Sequence, residues 1–367
     1  MRIKLFQPVV CEEAIKNVGE VLRSGWLGLG PKTMAFETEF ARYVGAPYCV
    51  GLNSCTAALH LGLKLLNLEP GSEVITTALT FISTNHAILY NGLKPIFADI
   101  EPKTGNLDVH SVASRITERT KAIVIVHYGG YPCNLNEFYA LSEEHQLPIV
   151  EDCAHACGAI YNGKRIGSHG KIHAFSFHAV KNLAIGDGGA LTINSKDDYL
   201  RLRRLRWLGI DRDTFQRTKV DTYNWKYNVL EVGFKYEMND IYAAIGLAQL
   251  KHVDKNNSFR SEIAAKYTQR LLNVPGLELL EYKNDRKSSF HLFCILAESR
   301  DKLTRKFQEA GIDIGVHYKR NDDYTMYQRQ ELPNTERFCQ RVISLPMHTE
   351  LTDEQIDCIT DIIRKGW

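Results

Sequence analysis

The segment YCVGLNSCTAALHLGLKLL, residues 48–66, decides the fold. Its opening apolar run is predicted as a strand over 48–52, the polar cluster Asn53-Ser54-Cys55-Thr56 follows, and apolar residues then recur at helical spacing over 56–66. The same alternation continues along the chain. Strands are predicted at 73–77, 95–99, 122–127, 148–151, 173–177 and 190–193, with helices at 83–90, 134–144, 196–208 and 240–253. Strands alternating with helices build parallel βαβ units, so the expected class is α/β, with a large, mostly parallel seven-stranded sheet. Beyond about residue 255 the pattern changes to helix 258–272, strand 291–296, helix 300–310, a strand around 312–318 and helix 353–365. A small α+β domain is expected there, giving a large domain over 1–250 and a smaller one over 251–367. The first ~25 residues are expected to pack with the small domain.

The chain has 367 residues, 44% of them hydrophobic and 24% charged, with 26 Gly and 11 Pro that form no repeat or linker. That composition is the one expected of a packed, enzyme-sized globular protein. Lys and Arg total 45 against 43 Asp and Glu, a formal charge of +2, so nothing demands a nucleic acid partner. The densest basic run, Arg201, Arg203, Arg204 and Arg206, is interleaved with Leu202 and Leu205; a solvated or phosphate-facing side is expected rather than a DNA footprint. Nine cysteines without a CxxC pair favour a reducing compartment and give no metal signature. No secretory leader is visible at the start and no apolar run approaches about 18 residues, so a cytoplasmic protein without membrane spans is expected.

Ligands of open parallel sheets bind beyond the carboxyl ends of the strands, so polar residues just after each run carry the chemistry. Ser54 and Thr56 open a helix, where they either cap it or help its free N–H groups bind a phosphate. The sequence has no GxxxxGK[ST], and Gly28-Leu29-Gly30-Pro31 is not GxGxxG, which weakens nucleoside-triphosphatase and dinucleotide readings. Asp152 follows an apolar run and serves either as a turn residue or as the partner of a protonated ring nitrogen. His155 can reach a ligand oxygen or simply be satisfied within the fold. Lys181 sits in the apolar AVKNLAIG, residues 179–186, where desolvation would make its amine a Schiff-base nucleophile; the other reading has it extending to solvent.

In order, GWLGLGP (25–31), NSCTAALHLGL (53–63), TALTFISTNHAI (77–88), FADIEPKTGNLD (97–108), EDCAHACGA (151–159), FSFHAVKNLAIGDGGA (175–190), GFKYEMNDIYAAIGLAQL (233–250) and SLPMHTELTDEQI (344–356) resemble the DegT/StrS-type nucleotide-sugar aminotransferases. The resemblance implies the aspartate-aminotransferase fold and pyridoxal 5'-phosphate, with the pyridoxamine form in the half-reaction. It assigns Lys181 to the cofactor Schiff base and proton shuttle, Asp152 to the ring nitrogen and His155 to the ring hydroxyl. Phe81 stacks on the cofactor face, while Ser54, Cys55, Thr56 and Ser176 form the phosphate cup. Lys235 matches a residue that crosses a homodimer interface to the neighbouring cofactor phosphate, and His317 and Trp26 are assigned to substrate binding. Two positions depart from the common pattern: Cys55 stands where Gly or Ala is frequent, and Lys235 where Asn is frequent. His178 reads as structural. The implied reaction moves the amino group of L-glutamate, which leaves as 2-oxoglutarate, onto a nucleotide-linked ketosugar, favouring a 4-keto-6-deoxyhexose, in amino-sugar and glycan biosynthesis. A 3-keto acceptor is one alternative. Another is a ketosugar dehydrase, against which Lys181 stands because histidine replaces it in that branch.

Overall fold

The computed structural model describes residues 2–211 and 226–367. Seven strands form the large sheet: β1 (Tyr48–Leu52), β2 (Glu73–Thr77), β3 (Lys94–Ala98), β4 (Thr120–Val126), β5 (Ile149–Asp152), β6 (Ile172–Ser176) and β7 (Gly189–Ile193). Their order is β1-β7-β6-β5-β4-β2-β3. Pairings from β6 to β3 are parallel, and only β7 runs antiparallel to its neighbours β1 and β6.

Side chains alternate across the strands, and both faces are apolar because helices cover both. Ile123 and Ile125 face a cluster that includes Phe36 and Phe40 from the helix Pro31–Val44 and Phe138 from the helix Leu135–His145. Ala122 and Val124 face the other cluster, filled by Leu59, Leu61 and Leu63 of the helix Cys55–Leu65. That helix is apolar around nearly its whole circumference, and it is accordingly buried.

A second sheet of three antiparallel strands, Leu277–Leu279, Phe293–Ala297 and Val342–Leu345, packs with the helices Val253–Leu271, Arg300–Glu309 and Asp353–Arg364. Ile3 joins this cluster and bridges Ile312, whereas the helix Glu12–Ser24 lies against Asp240–Leu250.

Some expected elements differ. The helix expected over 240–253 stops at Leu250; a turn closed by His252 N–H on Gln249 O separates it from Val253–Leu271. The strand expected around 312–318 is reduced to single bridges at Ile312 and Gly315, because the chain then turns away to line a cavity with His317 and Tyr318. Within the basic run, Arg206 points inward rather than to solvent: it pairs with buried Glu37 and donates to Gly51 O at 2.9 Å. Among the described residues, no helix is long and apolar enough to cross a membrane.

Two helices absent from the expectations, Pro31–Val44 and Pro333–Arg341, share one device. Each starts with proline after a residue whose side chain makes no cap. The cap comes instead from a distant buried aspartate. Asp240 accepts from the N–H groups of Gly30, Lys32 and Thr33 and from the Thr33 hydroxyl. Asp99, just past β3, accepts from Asn334 N–H, Thr335 N–H and the Thr335 hydroxyl. Asp240→Ala should therefore lower unfolding stability by about 2–4 kcal/mol, because several donors at once lose a charged acceptor in a buried place. Urea denaturation checks this against an exposed control such as Asp301→Ala, for which little change is expected.

Candidate active site

Strand register decides which side chains meet. Leu52 pairs with Gly189 and Gly189 with Ser176, so the ends of β1 and β6 lie on either side of the start of β7. Val126 pairs with Asp152 and Asp152 with Ala174 along the same edge. A Cβ at position 189 would stand 2.5 Å from Cys55 N and Ser54 C. Only glycine lets β7 press against the opening turn of the helix Cys55–Leu65.

Beyond this edge lies a cavity of about 300 Å³ that brings together Ser54, Cys55, Thr56, Phe81, Asp152, His155, Ser176, Lys181 and His317. At one end, Ser54 Oγ accepts the Ala57 N–H at 3.1 Å, so the capping reading of this serine is realised. Cys55 and Thr56 start the helix and have no carbonyl four residues back within it, which leaves a polar, electropositive turn at the cavity wall. An anion fits there, flanked by the hydroxyls of Thr56 and Ser176. The Cys55 thiol is pushed well above its usual range by burial and by the nearby Asp152 charge.

Asp152 closes β5 and is 4% exposed. Its Oδ2 accepts from the Thr84 hydroxyl at 2.7 Å, and its Oδ1 from Ala154 N–H at 3.0 Å. Thr80 lies 2.8 Å from the Thr84 hydroxyl, one helical turn away, and completes the chain. Burial raises the Asp152 carboxyl against these bonds; a cation placed in the cavity would offset that burial and hold the carboxylate charged.

Lys181 sits on a loop closed by Phe177 N–H on Gly188 O and Ile185 N–H on Phe177 O. The amine lies inside the cavity rather than in open solvent. Burial pulls it from 10.5 down to about 8, against the opposing influence of Cys55 and Asp152. The uncharged amine, which a nucleophile for a carbonyl carbon requires, is therefore far more populated near neutral pH than in an ordinary lysine, although the ammonium still predominates at pH 7.

His155 accepts the Gly129 N–H at Nδ1, 3.3 Å, while Nε2 faces the Tyr318 hydroxyl at 3.1 Å. Burial, then the charge of Lys181, keep it well below the usual histidine range. Phe81 is 58% exposed despite its apolar ring, so it is a wall of the cavity rather than a core residue. His317 also belongs to the wall rather than to a surface loop: its Nδ1 lies 2.7 Å from Ser344 Oγ, and burial lowers it to about 4. His178, read from sequence as structural, is exposed and lines the cavity too.

Two expected site residues stand elsewhere in the chain. Trp26 donates from Nε1 to Leu29 O at 3.1 Å, in the turn before Pro31–Val44. Lys235 pairs with Glu237 and lies over the Trp207 ring at 4.0 Å. Neither lines the cavity. Residues missed from sequence are Thr84, which lies at helical spacing from Thr80, and Phe6, His291 and Tyr318, brought in by distant segments. The neighbour of Asp152, Glu151, points the other way. Burial opposes its charge, but His173 and His127 hold it below the carboxylate range.

An anion site, a buried carboxylate awaiting a cation and an amine near neutrality, facing one another across one cavity, fit a phosphorylated, nitrogen-containing aldehyde. The model of the DegT/DnrJ/EryC1/StrS aminotransferase family matches residues 8–364. The UDP-4-amino-4-deoxy-L-arabinose–oxoglutarate aminotransferase of Shewanella sediminis is 34% identical over 98% of this chain and 97% of its own. Among solved structures, the sugar aminotransferase CalS13 from Micromonospora echinospora is 36% identical, with a TM-score of 0.92 and 99% of both chains covered. The putative sugar aminotransferase Spr1654 from Streptococcus pneumoniae, solved in PMP and PLP forms, superposes in its PMP form with a TM-score of 0.93 at 31% identity, over 99% of this chain and 98% of its own. The chain thus belongs to the DegT/DnrJ/EryC1/StrS aminotransferase family and is a pyridoxal phosphate-dependent sugar aminotransferase.

Proposed function

We propose that the enzyme transfers the amino group of L-glutamate to the 4-keto group of a nucleotide-linked 6-deoxyhexose. The observation that carries this reading is the Lys181 amine, desolvated to about 8, in one cavity with buried Asp152 and the open helix end at Cys55. The carbon-4 position and the glutamate/2-oxoglutarate couple are supported by the Shewanella relative, whose name joins a 4-amino pentose on UDP to oxoglutarate.

Pyridoxal phosphate supplies an aldehyde for amine exchange and a ring that accepts the electron pair left by deprotonation. Ser54, Cys55, Thr56 and Ser176 would hold its phosphate, Asp152 its protonated nitrogen and His155 its ring hydroxyl, with Phe81 over one face. Lys181 Nζ would take the proton from the α-carbon of glutamate and pass it to the cofactor carbon that carries the amine, and would move a proton the opposite way when the sugar is aminated. His317, and Trp26 from a more distant position, would contact the nucleotide sugar. In this reading the large domain is 1–250 and the small one 251–367, and the cavity lies where they meet.

The active unit is read as a homodimer in which Lys235 reaches the other subunit's phosphate. Val229, Leu230 and Val232, just before it, are 60, 61 and 83% exposed, an apolar run suited to covering by a second copy.

A panel of UDP-, dTDP- and GDP-linked ketosugars, added to enzyme preloaded with glutamate and freed of excess donor, tests the reaction. Loss of the pyridoxamine absorbance with a 4-keto-6-deoxy sugar, and not with 3-keto sugars, is expected; the reverse preference would refute the acceptor. Asp152→Asn should retain folding but lose about 100- to 1000-fold in turnover, by analogy with deletion of other preorganised charges. Steady-state kinetics at matched cofactor occupancy measure that loss. Mixing Lys181→Ala chains with Lys235→Ala chains should restore activity, since a hybrid that shares Lys235 across the interface has one intact site. If Lys235 acts within its own chain, both hybrid sites stay defective and no activity returns.

A further inference from the structure

His291 stands just before the strand Phe293–Ala297, far in sequence from every residue at the ends of the large sheet's strands, yet its ring is buried in the wall of the cavity. Two other rings pack on it. Phe6 stacks at 5.6 Å with the planes only 8° apart, and the His155 ring lies at 4.5 Å on a 34° tilt. Both nitrogens have partners as well. Nδ1 is 3.1 Å from Asn182 Oδ1, and Nε2 is 3.4 Å from Lys181 Nζ.

The amide of Asn182 settles which nitrogen carries the proton. Its Nδ2 donates to Asn257 Oδ1 at 2.7 Å and to Ser289 O at 2.8 Å. Two acceptors around one nitrogen fix that atom as the NH₂ group, so the atom facing His291 is the carbonyl oxygen. An oxygen can only accept, and His291 therefore donates from Nδ1. Its Nε2 then offers a lone pair to the lysine amine.

We propose that His291 is the positioning residue of Lys181, its Nε2 accepting an N–H from Nζ in a tautomer fixed by Asn182. The inference rests on the reading of Lys181 as the reacting amine. It supplies something that reading lacks: each time Lys181 takes up a proton, the ammonium needs a partner in a cavity sheltered from water. An ammonium donor makes the stronger hydrogen bond, so His291 holds the charged form more firmly than the neutral one and steadies both. The imidazole itself does not take the proton. It is buried, and the groups facing it, Lys181, His155, Arg260 and His317, all disfavour a second positive charge. On its other sides the amine faces Cys55 and Asp152.

The test uses the full-length protein freed of cofactor. Nitrogen-15 spectra of histidine-labelled protein should show His291 protonated at Nδ1 and bare at Nε2; a proton on Nε2 would overturn the proposal in the unaltered chain. In parallel, the pH dependence of reductive methylation at Lys181, followed by peptide mass, reports the proton affinity of the amine. His291→Phe keeps the stack on Phe6 but removes the acceptor, and should lower the midpoint by about one pH unit, a tenfold weaker hold on the proton. His291→Gln offers an amide oxygen and should recover part of that shift, which a purely packing role would not produce. An unchanged midpoint in a folded Phe variant counts against the proposal. Borohydride reduction of the holoenzyme separates the two claims. A pyridoxyl label on another lysine refutes the reading of Lys181, whereas a label on Lys181 with an unshifted midpoint refutes only the role of His291.

Discussion

A lysine amine gives up its proton close to neutral pH only where water is kept from it, and the groups around Lys181 are arranged under that constraint. Strand ends alone would leave the amine on an open ledge. The enclosure is completed by Phe6 from the N-terminal segment and by His291, His317 and Tyr318 from the C-terminal third. The β1, β5 and β6 ends provide polar groups at known offsets, while the distant segments provide the dry walls that make those groups reactive. Chemistry and fold are coupled because the residues that exclude water also tie the C-terminal sheet to the large one.

Register brings the polar groups to one place without any one of them being close in sequence to the rest. Leu52, Gly189 and Ser176 lie in a row across three strands, and the reversal of β7 puts a strand start among strand ends. That reversal brings β7 against the turn that carries Ser54 and Cys55, at a distance only a residue without Cβ tolerates. The same economy appears at Asp99 and Asp240. Each lies at the boundary of one element and caps a helix that begins elsewhere in the chain, so a single buried carboxylate both caps and docks.

These two aspartates also explain what the sequence could and could not reveal. Helices with their own caps, such as those after Ser54, Ser195, Asn239 and Thr352, carry a local signal and are legible within a few residues. Pro31–Val44 and Pro333–Arg341 lack one, since the acceptors for their first N–H groups arrive through tertiary structure. The same division runs through the site. Asp152, Lys181 and Ser54 lie in or just after apolar runs, which marks them as candidates only; their co-occurrence and the long family resemblance assign their roles. His291 and Phe6 have no local mark, because their importance comes from what folding sets beside them. Phe81 was legible as an aromatic, but only its exposure separates a wall of the cavity from the core.

The Cys55 thiol stands in the same enclosure as the Lys181 amine, and burial acts on the two in opposite senses. Removing water takes the charge from an ammonium and so frees its lone pair, while it keeps the proton on a sulfur and so withholds the thiolate. One physical effect thereby sorts two potential nucleophiles, arming nitrogen and silencing sulfur. An aldehyde or ketone entering the pocket meets a chemoselective surface, in which capture as a hemithioacetal is suppressed without the sulfur having to be replaced by an inert atom.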